Sequence, residues 1–266
     1  MNWNHWEHWY NKIISDFNYN PHKDAESAYI LNELLHNSEK RYDFHEIKTL
    51  IKDKIVFIYG CGPSLPEHVK KLKNSEVELQ NYIHIAADGA TSALLQFDIT
   101  PNIIVTDLDG EISDQIKANK NGAFIIIHAH GDNIENINRY FSAFSGKLFG
   151  TTQNKPLSSV KNFGGFTDGD RCIFLAEEME ASAIILFGFD FGNIVGRFSK
   201  PNLNRDALAS EMKIKKLQWA EHLISQLSTT SRSTIIKVNG TKLRMAKVKI
   251  WEFKEVIEFL KKSNEQ

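Results

Sequence analysis

Two aspartates, Asp107 and Asp109, stand two positions apart in PNIIVTDLDG, directly after a run that is typical of a buried strand. Two carboxylates held this close raise each other's pKa unless a cation lies between them. Mg²⁺ meets this need, because it binds few protein carboxylates and takes its other oxygens from water and substrate phosphates. We therefore predict a magnesium site here. The alternative is an Asx-turn with a cap for a helix that begins near Glu111.

Two further polar motifs follow neighbouring predicted strands. AADGATSALL places Asp88 and Gly89 at a strand end, where Asp88 is either a third metal ligand or the cap of the next helix. HAHGDN places His128 and His130 on one side of the chain, followed by Asp132. A His-x-His pair could hold zinc, but a convincing third ligand is absent from the sequence. Contact with substrate or phosphate is the preferred interpretation.

A glycine-rich turn, IYGCGPSL, follows the first predicted strand and contains Gly60, Gly62, Pro63 and Ser64. Such a turn can direct backbone amides at a phosphate as a helix opens. It lacks the full GxGxxG spacing and the lysine of a P-loop. A tight connection between strand and helix is the alternative, because glycine permits both.

The segment NFGGFTDGDRC precedes another helical run and carries polar residues beside Phe166. Either Asp168 or Asp170 is expected to cap that helix, and the tract could also be a loop that closes on ligand. Arg171 could reach a phosphate at the helix start, although a single arginine there is more often a surface residue.

The last two motifs frame a predicted loop. LFGFDFG places Asp190 after a strand, where it could bind a polar ring or ribose or cap a loop. The next segment supplies Arg197, Lys200 and Arg205 and predicts a cationic lid over a polyphosphate, or else an ordinary solvated loop.

Short runs of apolar residues alternate with helical segments from Ile55 onward, and most of these runs are apolar throughout. Strands covered on both faces have this pattern. We predict an α/β fold, with a Rossmann-like, open and mainly parallel sheet flanked by helices. An N-terminal helical segment spans residues 1–50, an α/β catalytic segment 51–200, and a helical and strand segment 201–266. The aromatic residues Trp3, Trp6 and Trp9 are expected to pack in the core.

Composition excludes several classes of partner. The 266 residues include 32 Lys plus Arg and 33 Asp plus Glu, and no long block of one sign. Nucleic acid and membrane are therefore not expected partners, and no apolar run reaches the roughly 18 residues that would cross a bilayer. Two cysteines without a CxxC pair and an N-terminus without signal features predict a cytoplasmic protein. A homo-oligomer is left open.

Taken together in this order, the motifs GCGPSL, AADGA, PNIIVTDLDG, HAHGDN, FGGFTDGDRC and LFGFDFG resemble those of the archaeal 6-hydroxymethyl-7,8-dihydropterin diphosphokinases, relatives of the thiamine pyrophosphokinase superfamily. The resemblance extends to the helical N-terminus and the KLQWAEHL helix. It implies that Asp88, Asp107 and Asp109 hold Mg²⁺ and ATP. Thiamine enzymes have Asp-Ser where this chain has Asp109 and Gly110, which makes thiamine a doubtful substrate.

The resemblance implies transfer of diphosphate from ATP to the pterin hydroxymethyl oxygen, with release of AMP, in the biosynthesis of methanopterin or a folate-like cofactor. His128 or His130 would then assist in proton removal or orient the substrate. Contacts to the nucleotide are expected from Gly60, Gly62, Pro63, Ser64, Asp88, Gly89, Arg171 and Arg197. Contacts to the pterin are expected from Asp132, Phe166, Thr167, Asp168 and Asp190. The alternatives are a sugar transferase of the bacterial motility-associated type, a metal hydrolase built on HAHGD, and a non-catalytic nucleotide-binding module.

Overall fold

A computed structural model describes residues 3–40, 43–239 and 247–263. The α-helices of these residues are α1 (Trp3–Phe17), α2 (Pro21–His36), α3 (Phe44–Ile51), α4 (Leu65–Lys73), α5 (Ala90–Leu95), α6 (Ile112–Lys120), α7 (Ile134–Tyr140), α8 (Asp168–Glu178), α9 (Glu211–Thr230) and α10 (Phe253–Ser263). The strands are β1 (Ile55–Tyr59), β2 (Ile83–Ala87), β3 (Ile103–Thr106), β4 (Phe124–Ala129), β5 (Leu148–Thr152), β6 (Val160–Lys161), β7 (Ala183–Phe187), β8 (Ile194–Val195), β9 (Ala207–Leu208), β10 (Thr234–Val238) and β11 (Lys249–Trp251). The run TIIKVNG forms β10 as far as Val238, and its last residue, Gly240, lies outside the described residues.

Nine strands form one sheet in the order β11-β10-β7-β1-β2-β3-β4-β5-β6. Every pair of neighbours in this sheet is parallel. The chain leaves β1 toward β2 and later returns to the other side of β1 with β7, so connections diverge between β1 and β7. Ligands of open α/β sheets bind beyond the carboxyl ends of strands near such a point. The predicted α/β architecture is confirmed.

Side chains of the central strands explain why they lie in the middle of the molecule. All residues of β3, β4 and β7 are buried. Alternate residues point to opposite faces, so that Phe57 and Tyr59 join one core cluster and Val56 and Ile58 join the other. A strand with both faces covered needs apolar residues throughout, as the sequence pattern predicts.

Helix α1 packs beside the carboxyl ends of the sheet, where Trp6 Nε1 donates to the carbonyl oxygen of Gln153 after β5. Trp6, Tyr10, Ile13 and Phe17 lie on one face of α1 and form a third cluster with Phe166, Phe174 and Leu223. Trp3 and Trp9 are partly buried against the same cluster. The chain on both sides of the central segment therefore contacts it: α1 packs on α8 and α9, and β10 and β11 extend the sheet.

The antiparallel pair β8–β9 stands apart from the main sheet. Its segment reaches back over the strand ends, because Gly196 N–H donates to the carbonyl oxygen of Cys61 at 3.1 Å. A Cβ atom at Gly89 would overlap the carbonyl oxygen of Phe198, so glycine is needed where this segment crosses the start of α5. No helix among the described residues is long and apolar enough to cross a membrane.

Candidate active site

A cavity of about 490 Å³ opens at the carboxyl ends of the strands. Most residues that the sequence predicts for the site line this cavity, namely Gly60, Gly62, Asp88, Asp107, Asp109, His128, His130, Asp132, Phe166, Thr167, Asp168, Arg171 and Asp190. Four others do not line it: Pro63, Ser64, Gly89 and Arg197. The parallel sheet explains the convergence, since all carboxyl ends meet at one edge.

Three carboxylates form an acid cluster in the cavity, Asp88 after β2 and Asp107 and Asp109 after β3. One oxygen from each lies within 4.8 Å of the others, and this is a cluster that could hold a metal ion. The backbone turns sharply between the two aspartates that follow β3. At this turn Leu108 has φ +67° and donates its N–H to Thr106 Oγ1 at 2.8 Å. Asp107 and Asp109 are thereby directed to the same side.

Buried neighbours hold Asp88 in place. Its Oδ1 accepts hydrogen bonds from Thr106 Oγ1 at 2.6 Å and from Gln115 Nε2 at 2.8 Å. A Cβ atom at Gly110 would overlap the Asp88 carboxylate, which explains glycine after the second aspartate. Asp88 does not cap α5, whose N-cap residue is Gly89. The alternative prediction, that Asp88 caps the next helix, is therefore wrong.

The other alternative, a cap by Asp107 or Asp109 for α6, is also not what the structure shows. The N-cap residue of α6 is Glu111, whose side chain accepts from the N–H of Ser113. Asp107 Oδ2 instead contacts His130 Nε2 at 3.4 Å, and Asp109 pairs with Lys200. Asp107 Oδ1 is buried without a hydrogen-bond partner. A buried carboxylate oxygen without a donor is costly, and a cation would remove that cost.

Burial and mutual repulsion shape the charge of the acid cluster. Burial raises the pKa of Asp88 to about 7, and the charges of Asp107 and Asp109 act in the same direction. Burial and the charge of Asp107 also raise the pKa of Asp109. Although burial opposes it, the hydrogen bond with His130 holds the pKa of Asp107 below its ordinary value. The donor set is hard oxygen with excess negative charge, which suits Mg²⁺.

The two histidines have different partners. His130 Nδ1 accepts from the N–H of Asp132 at 3.2 Å, so a neutral ring carries its proton on Nε2, toward Asp107. Thr151 Oγ1 donates to the carbonyl oxygen of Ile127 at 3.4 Å, so it accepts from His128 Nδ1 at 3.2 Å. His128 Nε2 then carries a lone pair and is buried without a partner. Burial, with the charge of Arg171, lowers the pKa of His128 well below its ordinary value.

Within the described residues, the acid cluster is the one group of His, Cys, Asp and Glu side chains that could hold a metal. His128 and His130 are not part of it. Their rings lie 5.9 Å apart and stack, and protein neighbours occupy one ring nitrogen of His128 and both ring nitrogens of His130. The zinc site considered from HAHGDN is not formed.

Three N–H groups of the glycine-rich turn, those of Gly60, Gly62 and Ser64, are not free as the phosphate interpretation requires. Gly60 N–H donates to the carbonyl oxygen of Phe187, and Gly62 N–H donates to that of Gly188, both at 2.9 Å. Ser64 donates its N–H and its hydroxyl to Asp190 Oδ2 at 3.0 and 2.9 Å. An amide cradle from these three groups is therefore a wrong prediction. Their donors are consumed in joining the turns after β1 and β7.

The segment before α8 also differs in detail from expectation. Thr167, rather than Asp168 or Asp170, is the N-cap residue of α8, and Asp170 completes a capping box from position N3. Asp170 is fully buried and also accepts from the N–H of Phe166 at 2.7 Å. Asp168 is half-buried in the cavity, where burial and the charges of Asp107 and Asp88 raise its pKa well above the ordinary value.

Arg171 is not the surface residue that a lone arginine at a helix start suggests. It is 6% exposed and lines the cavity. A Cβ atom at Gly165, where φ is +87°, would lie 2.7 Å from Arg171 Cα. The double glycine thus lets the chain pass close to the start of α8 and brings the arginine inward.

The predicted cationic lid contributes one of its three charges to the cavity. Lys200 lines it and contacts Asp109. Although burial opposes it, this contact raises the pKa of Lys200. Arg197 and Arg205 are exposed, and the Arg197 guanidinium lies over the Phe198 ring at 4.9 Å. Asn193, between Asp190 and this lid segment, is exposed and does not line the cavity.

Sequence reasoning missed cavity residues from the two ends of the chain. The N-terminal region supplies Lys23 and Asp24 from α2 and Tyr19 from the loop before it, and α9 supplies Lys213 and Lys216. The position of Asp24 in the cavity could have been predicted from the sequence. Asp24 lies on the buried face of α2 with Ala28, Leu31 and Leu35, so a carboxylate stands where the helical pattern calls for an apolar residue.

Comparison with known proteins decides the family. The profile described as 6-hydroxymethylpterin diphosphokinase MptE-like matches residues 32–196. The chain belongs to this MptE-like diphosphokinase family. It is therefore an enzyme, a diphosphotransferase, and the non-catalytic and hydrolase alternatives are set aside.

Curated relatives of this diphosphokinase cover almost its whole length. The 6-hydroxymethyl-7,8-dihydropterin pyrophosphokinase of Methanocaldococcus jannaschii is 44% identical over 234 residues, which are 85% of this chain and 96% of the relative. The proteins of the same name from Pyrococcus furiosus and Methanothermobacter thermautotrophicus are each 42% identical. They match 89% and 84% of this chain and 99% and 93% of their own lengths.

A solved structure shares the fold of this diphosphokinase. It is described as the Maf glycosyltransferase from Magnetospirillum magneticum AMB-1 and is 14% identical, with a TM-score of 0.50. The match covers 80% of this chain and 37% of the glycosyltransferase chain. At this identity the similarity shows a common fold alone.

Proposed function

We propose that this diphosphokinase transfers diphosphate from ATP to 6-hydroxymethyl-7,8-dihydropterin with the help of Mg²⁺, releasing AMP and the pterin diphosphate. The relatives' names supply the pterin substrate. The proposal of Mg²⁺ and ATP is supported by one observation: the acid cluster lies in a cavity that is also lined by cationic side chains. The product would enter the biosynthesis of methanopterin or a folate-like cofactor.

The residues of the acid cluster fit the ion. Asp88, Asp107 and Asp109 would hold Mg²⁺, with the unpartnered Asp107 Oδ1 among its ligands. Bound there, the ion would neutralise phosphate charge and favour attack at the β-phosphorus. The hydrogen bonds of Asp88 with Thr106 and Gln115 and the contact of Asp107 with His130 fix the carboxylates before any ligand arrives.

Side-chain cations of the same cavity would hold the rest of the triphosphate. Arg171 is buried there, and Lys23, Lys200, Lys213 and Lys216 line the walls. Phosphoryl transfer depends mainly on positioning and on fixed positive charge, so such a set of cations is what the chemistry needs. Lys200 could exchange its contact with Asp109 for a phosphate oxygen, since both are anionic partners.

His128 is the better placed of the two histidines to receive the acceptor's proton. Its Nε2 has a lone pair and no partner, whereas both ring nitrogens of His130 have protein partners. The hydroxyl of the pterin would donate to His128 Nε2 as the oxygen attacks the β-phosphorus. The bond between that phosphorus and the oxygen bridging to the α-phosphorus then breaks, and AMP leaves with the electron pair.

The apolar part of the cavity suits a flat ring. Phe166, Phe189 and Phe191 line it, and Asp190 lies between the last two with its Oδ2 occupied by Ser64. Asp190 Oδ1 remains to accept from the donor edge of a pterin. The cavity is also lined by Thr167, Asp168 and Asp132, which would make further contacts with the substrate.

The test is incubation of the protein with ATP, Mg²⁺ and 6-hydroxymethyl-7,8-dihydropterin, with AMP and pterin diphosphate followed by chromatography. Equal amounts of the two products are expected, with none from thiamine. Release of ADP in place of AMP, or intact ATP with folded protein and metal present, would contradict the proposal.

A further inference from the structure

Arg171 is a buried cation whose protein partners carry no charge. Its guanidinium donates from Nη2 to Gln153 Oε1 at 3.1 Å and to the carbonyl oxygen of Phe166 at 2.9 Å. No carboxylate of the described residues lies within 4.0 Å of its guanidinium nitrogens, although several line the same cavity. Asp170, Asp168, Asp107 and Asp24 act on its charge at longer range, but none of them forms a direct ion pair with it. The remaining guanidinium donors can be satisfied by an anionic ligand.

Gln153 is the side chain that fixes the direction of this guanidinium. It is 4% exposed and directly follows β5. Its amide nitrogen donates to Asp24 Oδ2 at 2.8 Å, which leaves its amide oxygen toward Arg171. A carboxylate only accepts and a guanidinium only donates, so an amide between them has one favourable orientation.

Asp24 is in turn held from three directions. It accepts from Tyr10 Oη at 3.0 Å, from Gln153, and from the N–H of Gly131 at 2.7 Å. Trp6 Nε1 donates to the carbonyl oxygen of Gln153 at 2.8 Å. The side chains of α1 and α2 are thus joined by buried hydrogen bonds to the Arg171 guanidinium and to the loop that follows His130.

We propose that Gln153 and Asp24 are positioning residues, which orient Arg171 to bind a polyphosphate in the cavity and make the N-terminal helices part of the active site. The polyphosphate is the triphosphate of ATP if the proposed function holds. The hydrogen bonds from Nη2 to Gln153 and Phe166 hold the guanidinium in its binding direction before the ligand arrives, and its other donors stay free for that ligand. Loss of Gln153 would leave Arg171 present but free to turn.

A double-mutant cycle tests this proposal. The variants are Gln153→Met, Arg171→Met and the pair together, and the probes are inorganic tripolyphosphate and α,β-methylene-ATP, whose cleavable bridge is replaced by carbon. Calorimetry with Mg²⁺ gives the affinity for each probe. Gln153→Met should weaken binding about tenfold and Arg171→Met about a hundredfold. The pair should equal Arg171→Met within about twofold, because Gln153 acts through Arg171.

Asn32→Ala is the matched control for general damage. Asn32 is also buried on α2, where its Oδ1 accepts from the N–H of Ser159 at 2.9 Å, and it does not line the cavity. This variant should lower the melting temperature and leave the affinity for both probes unchanged. Asp24→Asn should weaken binding in the same direction as Gln153→Met, since it lets the Gln153 amide turn over.

The outcomes separate the two proposals. Additive losses in the double variant, or unchanged affinity in Gln153→Met, would overturn the positioning role. If the cycle holds for tripolyphosphate while the wild type fails to bind α,β-methylene-ATP, the positioning role stands and ATP is the wrong nucleotide. A wild type that binds neither probe would overturn both.

Discussion

Two neighbouring parts of the same sheet edge use their polar groups in opposite ways. After β1 and β7, the N–H groups of Gly60, Gly62 and Ser64 all have protein acceptors. After β3 and near the carboxyl end of β4, Asp107 Oδ1 and His128 Nε2 are buried without partners. A buried polar atom without a partner is costly and so marks where a ligand is expected. The first part joins two turns, and the second is arranged for chemistry.

The largest effect is expected from Asp107→Asn, which removes a charge from the acid cluster without a change of volume. Loss of a metal ligand costs several kcal/mol of transition-state stabilisation, so turnover should fall at least about a thousandfold. The chromatographic assay for AMP measures this loss, and thermal unfolding shows whether the fold is kept. Asp98→Asn, at an exposed aspartate with φ +57°, is the control and should retain full turnover. Ordinary turnover in Asp107→Asn would remove this residue from the metal site.

The next effect is on stability and pH. Because the pKa of Asp88 is raised to about 7 in the folded chain, the folded chain keeps a proton that the unfolded chain loses between about pH 4 and pH 7. Without metal, the free energy of unfolding should therefore fall as pH rises through this window. The lowered pKa of Asp107 acts in the opposite direction, but below pH 4.

Urea unfolding in EDTA at pH 5 and pH 8 measures this dependence. Asp88→Asn should lose less stability than the wild type between these pH values, by on the order of 3 kcal/mol at most. Mg²⁺ should restore stability to the wild type at pH 8, because the ion favours ionised Asp88. The same pH dependence in both proteins would show that Asp88 titrates normally.

A pair of glycine substitutions compares the two parts directly. A Cβ atom at Gly110 would overlap the Asp88 carboxylate, and one at Gly62 would overlap the Asp190 carboxylate. Gly110→Ala should lower turnover by about 10–100-fold through the displaced metal ligand. Gly62→Ala should lower the free energy of unfolding by about 1–3 kcal/mol and, through the displaced Asp190, raise the KM for the pterin more than it lowers kcat. Gly192→Ala, with no neighbouring atom closer than 4.0 Å, is the control. A reversed pattern would exchange the roles of the two parts.

The smallest effect is expected from Ser64→Ala, which removes the hydroxyl bond to Asp190. Stability should fall by about 1 kcal/mol, and the KM for ATP should stay within about twofold of the wild type. Steady-state kinetics with varied ATP measures this. A tenfold rise in that KM would instead support the contact between Ser64 and phosphate that the sequence suggested.

The parts of the fold that could be read from the sequence are those with strong local patterns. Continuous apolar runs such as AFIIIHAH predict buried parallel strands, and the polar residues that follow them are brought together by the sheet. The acid cluster could be predicted because Asp107 and Asp109 stand only two positions apart in the sequence. The use of the GCGPSL amides was not readable, since their acceptors, Phe187, Gly188 and Asp190, lie more than 120 residues later in the chain.

Contributions from the ends of the chain were hidden for the same reason. Lys213 and Lys216 look like the solvated side of an amphipathic helix, and only the packing of α9 against α8 turns them toward the cavity. From its sequence position alone Arg171 resembles a surface residue. The structure shows that the double glycine before it lets the chain pass close to the start of α8, which places the arginine inside. Local pattern gives the element, and long-range packing decides which face is used.

The most direct test of the contrast between the two parts is a titration with Mn²⁺, in which electron paramagnetic resonance follows the free ion. Wild type, Asp107→Asn and Ser64→Ala would be compared without nucleotide. We expect one ion per chain in the wild type and in Ser64→Ala, and affinity weakened about a hundredfold in Asp107→Asn. Equal Mn²⁺ affinity in Asp107→Asn and the wild type would contradict the assignment of the metal to the acid cluster.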